Sequence, residues 1–140
     1  MLTRLVTRSD AEYLFKWRND PHTIAMSLNS MAVTWNEHVS WLQHALNDKK
    51  KLLILCYLED ADPVGFVRFD VHRRYTEVSI NLNPRCRGKG YAKKCLTAAL
   101  ERFKKELQRS TLIKARIKIE NDASKQLFTG AGFRYLTTQD

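Results

Sequence analysis

The sequence predicts an α+β (α/β) fold: a mixed, mostly antiparallel central sheet flanked by helices. Three observations predict it. Short strand-type runs recur along the chain, and two of them, Lys51–Leu58 and Val64–Val71, lie close enough to form an antiparallel hairpin. A strong helical stripe, Tyr91 to Leu107, separates the strand-like runs Tyr75–Leu82 and Thr111–Ile119, and a strand–helix–strand order supplies a parallel crossover. Helix-start signatures precede the hairpin. At 140 residues and 44% hydrophobic content, one domain spanning 1–140 with a real core is expected.

Taken in order, Leu2, Arg4 and Val6 alternate with Thr3, Leu5 and Thr7 as a first strand. Ser9-Asp10-Ala11-Glu12 reads as a capping box opening a helix that carries Ala11, Leu14 and Phe15 and runs into Trp17-Arg18-Asn19-Asp20. Pro21 ends or breaks it, and His22 to Met31 is a short helix or loop. Thr34-Trp35-Asn36-Glu37 is a second capping box, with Trp35, Val39, Leu42 and Leu46 on one face of its helix. Lys51–Leu58 is apolar enough for a buried strand, Glu59 to Pro63 turns the chain, and Val64–Val71 returns. In the third strand Val78, Ile80 and Leu82 alternate with Glu77, Ser79 and Asn81. Ala92, Cys95, Leu96, Ala99, Leu100, Phe103 and Leu107 form the long helix's apolar stripe. Thr111–Ile119 alternates as a strand. Asn121 caps the next helix, with Ala123, Leu127, Phe128 and Ala131 inward and Gly132 as its stop. Phe133–Thr137 is read as a last short strand.

The formal net charge of +9 favours an anionic partner. No run approaches a membrane span, and the N-terminus lacks a signal-peptide block, so no membrane association is expected. Cys56, Cys86 and Cys95 lack metal-ligand or redox spacing; reduced thiols, a cytoplasmic setting and no metal site follow as expectations. Nucleic acid is not the expected partner, because the sequence shows no aromatic–basic stacking strand and no recognition helix.

The stretch Asn83-Pro84-Arg85-Cys86-Arg87-Gly88-Lys89-Gly90-Tyr91-Ala92 joins the third strand to the long helix. Glycines there let backbone N–H groups converge, and the helix N-terminus adds partial positive charge, which is the chemistry of a phosphate cradle. Two registers satisfy Arg-x-x-Gly-x-Gly/Ala: Arg85-x-x-Gly88-x-Gly90 and Arg87-x-x-Gly90-x-Ala92. The second fits the helix start better. A P-loop is absent, and three preceding strands exclude a Rossmann turn. The second motif runs from Asn121 through Ser124 and Phe128 to Gly132-Phe133.

These two motifs in this order resemble the GNAT superfamily of acetyl-CoA-dependent N-acetyltransferases, and the resemblance covers the whole chain. It implies a GNAT fold with a V-shaped split between the two parallel central strands, and acetyl-CoA (coenzyme A) as cofactor. The backbone from Arg87 through Gly88, Lys89 and Gly90 to Tyr91 and Ala92 would take the pyrophosphate, with Arg87 and Lys89 adding charge. Leu82 would pair with the pantetheine arm, Asn121 would bond it, and Ser124, Lys125 and Phe128 would complete the cofactor site. Glu77 is the candidate base or anchor of a water relay, and a backbone N–H near Ile80 to Leu82 would hold the developing oxyanion. Phe128 stands where the family commonly has a Tyr acid, so Tyr91, Ser79, Tyr135 or solvent would supply that proton, or the thiolate would leave unaided.

Trp17-Arg18-Asn19-Asp20 and Thr34-x-x-Glu37-His38-x-x-Trp41-Leu42 resemble the branch holding ribosomal-protein N-terminal acetyltransferases and the sugar-nucleotide amine acetyltransferases, particularly the pseudaminic-acid-pathway enzyme. That implies a UDP-linked amino sugar as first acceptor, a protein N-terminus as alternative, and Trp17, Arg18, Asn19 and Arg68 as acceptor-binding residues, with His72, Arg73 and Arg74 as further cations on that side. The chain would act as a monomer or homodimer. A basic nucleic-acid-binding module or a non-catalytic acyl-CoA-binding protein is the competing class.

Overall fold

The structure, a computed structural model, describes residues 1–136. Strands β1 (Leu2–Leu5), β2 (Lys51–Tyr57), β3 (Pro63–Val71), β4 (Tyr75–Leu82) and β5 (Leu112–Lys114) form one sheet in that spatial order. The first four pair antiparallel, and β5 runs parallel to β4. Helices α1 (Ala11–Arg18), α2 (Pro21–Met26) and α3 (Trp35–Leu46) fall between β1 and β2; α4 (Tyr91–Leu107) is the crossover from β4 to β5, and α5 (Asp122–Gly130) follows.

Both faces of the sheet are covered, which explains why β2 reads as an unbroken apolar run rather than an alternating one. Leu53, Leu55 and Phe66 meet Leu14 and Trp17 of α1 and Leu42 and Ala45 of α3 on one face. On the other, Ile54, Cys56, Val67, Phe69 and Val78 meet Cys95, Leu96, Ala99 and Phe103 of α4 and Phe128 of α5. At the centre of that second core the Phe69 and Phe103 rings stack with centroids 4.2 Å apart and planes within 6°.

The cap expected at Ser9 and Glu12 lies two residues earlier. A 3-10 turn, Arg8–Asp10, precedes α1, and the Asp10 carboxylate accepts from the Thr7 N–H at 2.9 Å. Arg4 closes on the same carboxylate with two bonds of 2.7 and 2.8 Å, so β1, the turn and α1 are tied through one buried acid. Burial pushes the Asp10 carboxyl up, but the Arg4 fork and the Thr7 N–H outweigh it and hold it below the usual carboxylate range. A depressed folded pKa stabilises fully above the unfolded value and is lost as pH falls through the folded one. Asp10→Asn should therefore cost about 1–3 kcal/mol at pH 7 in urea unfolding. The variant should also lose less stability than wild type on going to acid below about pH 4. Equal acid sensitivity in both proteins would rule Asp10 out as the source.

Four other elements differ from expectation. The Thr34–Glu37 box forms as read (3.2 Å in each direction), but α3 turns His38, Leu42 and Ala45 inward and leaves Trp35 45% exposed. His38 Nε2 lies 2.9 Å from the Ala11 carbonyl, which satisfies the buried imidazole and fixes this rotation. The strand expected over Thr111–Ile119 keeps only Leu112–Lys114 in the ladder, although Ala115 and Ile117 still pack against the core. Ala123 is exposed on α5's outer side, and Phe133–Leu136 form no strand; Thr137 lies outside the described residues.

Candidate active site

The parallel pair ends early, and that opens a fork. β5 accompanies only Tyr75–Glu77, with Glu77 opposite Lys114 as the last pair, while β4 continues to Leu82. His72 N–H donates to the Tyr75 carbonyl and Asn83 N–H to the Val64 carbonyl, both at 2.8 Å. In an antiparallel ladder this parity makes the odd-numbered residues of β4 bond to β3. Ile80 and Leu82 therefore turn their N–H and C=O toward the side β5 has left. At the apex, Glu77 receives both arms of Arg116, Nε at 2.7 Å and Nη2 at 3.1 Å, so its carboxylate oxygens are held by the chain that has just left the sheet.

The end of β4 is clamped. Asn83, 7% exposed, donates Nδ2–H to the Pro63 carbonyl (2.9 Å) and accepts from the Arg85 N–H (3.1 Å), opening the 3-10 turn Pro84–Cys86. Beyond it Gly88 and Gly90 take φ of +73° and +77°, and a Cβ on either would meet nothing within 4 Å. Glycine is needed there for its backbone freedom and for the open space in front of it. Gly90 caps α4 with no side-chain capping bond, and no acid stands in the first turn. The leading N–H groups of this 17-residue helix thus face outward with the positive end of its dipole. This surface fits the pyrophosphate of a coenzyme A, and the uncovered edge at Ile80 and Leu82 fits an extended amide arm.

The predicted side chains distribute unevenly about this cradle. Arg87 does not aim its charge outward: Nη2 donates to Asp20 Oδ2 (2.6 Å) and Thr23 Oγ1 (2.9 Å). Asp20 also caps α2 by accepting from the Thr23 N–H (3.1 Å), and the Arg87 hydrogen bond holds its carboxyl below the usual range. Lys89 and Ser79 are exposed, Tyr91 and Ala92 half-buried. Asn121 spends its side-chain oxygen on the Ser124 N–H (3.1 Å), and Lys125 lies 3.4 Å from Asp122. Phe128 is a core ring, edge-on to Phe133 at 5.0 Å.

On the acceptor side, Trp17 is 3% exposed and belongs to the core. Asn19 is a clamp, donating to the Val33 carbonyl (2.8 Å) and accepting from the Val33 N–H (2.9 Å). Arg18 donates Nη2–H to the Asn29 carbonyl (3.1 Å), while Nη1 is buried with no acceptor among the described residues. Arg68 lies over the Trp41 ring at 5.7 Å; its buried Nε comes within 3.2 Å of Asp70 Oδ2 but outside hydrogen-bonding geometry. Lys118 Nζ donates to the Ala25 carbonyl (2.8 Å) and Ser30 Oγ (2.9 Å), so the α2 segment is pinned to both arms of the fork. His72, Arg73 and Arg74 form the β3–β4 hairpin, at the opposite end of β4 from the cradle, and are not acceptor-side cations. Asp20, Asn83 and Arg116 were missed; the Asp-Pro and Asn-Pro pairs at 20–21 and 83–84 were available cap signals.

No helix among the described residues is long and apolar enough to cross a membrane. No curated protein sequence matches the chain. Among solved structures, a domain from Methanocaldococcus jannaschii DSM 2661 superposes with a TM-score of 0.80 at 23% identity, over 99% of this chain and 90% of that one. Spermidine N-acetyltransferase from Vibrio cholerae, in complex with CoA and spermine, gives 0.80 at 18% identity over 94% and 79%. The aminoglycoside 6'-N-acetyltransferase of Acinetobacter haemolyticus gives 0.75 at 15% identity over 100% and 95%. These likenesses establish the fold; the Acetyltransferase (GNAT) domain family matches residues 1–134 directly. With the strand order, the fork and the glycine cradle all in place, the chain belongs to the GNAT family and is an acetyl-CoA-dependent acetyltransferase.

Proposed function

We propose that the protein acetylates the primary amine of a nucleotide-linked amino sugar by direct attack of the amine on the thioester. The observation that carries the acceptor class is the charge around the fork. Glu77 is paired with Arg116, Asp70 with Lys51 and Arg68, and Asp20 with Arg87, while Arg18 and Arg68 each keep a buried N–H without a hydrogen bond among the described residues. A polycation such as the spermine bound to the Vibrio cholerae enzyme would find those carboxylates already taken. An amine carried on a diphosphate instead meets the guanidinium groups of Arg18 and Arg68, which are half-buried as residues and partly open to solvent.

When bound, acetyl-CoA supplies an activated thioester carbonyl. Gly88, Lys89, Gly90 and Tyr91 offer backbone N–H groups to its pyrophosphate, and the Leu82 edge extends the sheet along its arm. The N–H groups of Ile80 and Leu82 face the fork, where they would donate to the acyl oxygen. Glu77, anchored by Arg116 at the apex, takes the amine proton through a water. Ser79 shares Glu77's face of β4 and is exposed, so it, with Tyr91, is the hydroxyl available to protonate the departing thiolate, Phe128 having none to give.

Free-thiol release with a panel of amines tests the acceptor. UDP-amino sugars should exceed spermidine in kcat/KM by at least about tenfold, and greater activity on spermidine would overturn the assignment; preference for a protein N-terminus would move it to the alternative acceptor. Glu77→Gln should lower kcat by about 100-fold near neutral pH. The deficit should shrink as pH approaches the amine's own pKa, where no base is needed. An unchanged rate would remove Glu77 from proton transfer.

A further inference from the structure

We propose that the end of the sheet opposite the cradle binds single-stranded nucleic acid. The fold gathers there what no stretch of sequence displays. The hairpin His72–Arg74 is closed by the His72 N–H to Tyr75 carbonyl bond, and the His72 and Tyr75 rings stack with centroids 4.7 Å apart at 30°. The parallel β4–β5 pair places Lys114 beside them, with its Nζ 4.6 Å from the Tyr75 centroid. Val71 N–H donates to the Lys50 carbonyl (2.7 Å), which draws in Lys49 and Lys50; the Thr76 and Thr111 hydroxyls, 3.1 Å apart, draw in the loop bearing Arg109.

Lys49, Lys50, Arg73, Arg74, Arg109 and Lys114 are all exposed, and none is in an ion pair among the described residues. Of the acids nearby, Asp70 is paired with Lys51 and Arg68 and Glu77 with Arg116, which leaves Asp48, bonded to the Lys50 N–H at 2.9 Å, as one negative charge against these six cations. Six unpaired cations are therefore gathered at this end of the molecule. Cations along an edge track a phosphodiester backbone, and exposed His72, ordered by its stack on Tyr75, presents an aromatic face to a base. Among the described residues this surface is built from the β3–β4 hairpin, β5 and the loops that follow α3 and α4, with no helix of its own to enter a duplex groove. Leu112 is the large apolar side chain exposed beside it, too little for insertion into a membrane. An acidic peptide would satisfy the charge and leave the ring stack unused. The hairpin lies at the far end of β4 from the cradle, Lys114 alone reaching the apex of the fork opposite Glu77, and the surface does not depend on the acceptor proposed above.

Fluorescence anisotropy with oligo(U) and oligo(dT) of about 12 nucleotides tests this, using the whole protein at low salt. Binding should weaken steeply with salt. Arg73→Glu with Arg74→Glu should weaken it at least tenfold, and His72→Ala several-fold, while acetyl transfer is retained. Lys93→Glu with Lys94→Glu, at the cradle end of α4, makes the same change in net charge and should leave binding within about twofold. The ratio between the two oligomers separates RNA from DNA as the preferred form. No binding of either, equal loss in both double variants, no effect of His72→Ala, or tighter binding to anionic vesicles or an oligoglutamate peptide would overturn the proposal.

Discussion

Gly90→Val is expected to lose at least about 100-fold in kcat/KM for acetyl-CoA while remaining folded. Gly90 holds φ at +77°, where an L side chain costs roughly 1–2 kcal/mol, more for a β-branched one. A Cβ there meets nothing within 4 Å, so no clash inside the protein adds to that strain. The added side chain instead projects into the open space before the α4 N–H groups, where the pyrophosphate must lie. Charge-assisted hydrogen bonds to an anion contribute about 1.5–3 kcal/mol each, and a hundredfold loss corresponds to about 2.8 kcal/mol, so disturbing one or two of them is enough. Gly130→Ala is the matched control, since its Cβ also meets nothing within 4 Å but its φ is not positive. It should leave kcat/KM unchanged and raise stability by a few tenths of a kcal/mol to about 1. Initial rates at varied acetyl-CoA, beside thermal unfolding, separate the two effects. Full activity in a folded Gly90→Val protein would mean that the cradle does not hold the cofactor.

The largest stability effect is expected at Phe103. Its ring is 1% exposed and lies flat on Phe69, itself fully buried, so truncation to alanine removes both the transfer energy of the ring and its stacking partner. Phe→Ala at such a site costs about 3–5 kcal/mol, a large share of the 5–15 kcal/mol that holds a typical domain. Phe103→Leu keeps most of the volume and should cost less than half as much. Urea unfolding reads both, and a loss under about 1 kcal/mol for alanine would show that the core repacks around the gap. Because α4 also carries the cradle, saturating acetyl-CoA should recover part of the lost melting temperature by mass action.

The elements legible in the sequence were those whose pattern reports burial. The hairpin β2–β3, strand β4 and the α4 stripe all appear with nearly their observed limits. Alternation misled at β5 for the same reason: Ala115 and Ile117 go on facing the core after the backbone has left the ladder, so the pattern continues past the strand. At α3 the apolar count chose Trp35, while a hydrogen bond to Ala11 buried His38 instead. Within the site, the glycine turn was visible because positive φ constrains residue type. Long-range partnerships were not. Arg87 reads as a phosphate cation until Asp20, distant in sequence, is seen to hold it. Arg116 finds Glu77 only through the register of the parallel pair. A polar contact between remote residues leaves no periodic trace.

The α2 segment has one more consequence, for how such an enzyme diversifies. None of the six residues of α2 is buried, and a helix that short does not persist on its own. It is held by polar ties at a few points: Asp20 and Thr23 to Arg87, the Ala25 carbonyl and Ser30 to Lys118, and Asn19 to Val33. Neither core reaches into it. The stretch is thus an interchangeable cassette. New residues between the tether points can reshape the wall beside the fork at little cost to folding, and a transplanted loop keeps its seat as long as it brings an acid and a hydroxyl for Arg87 to grip.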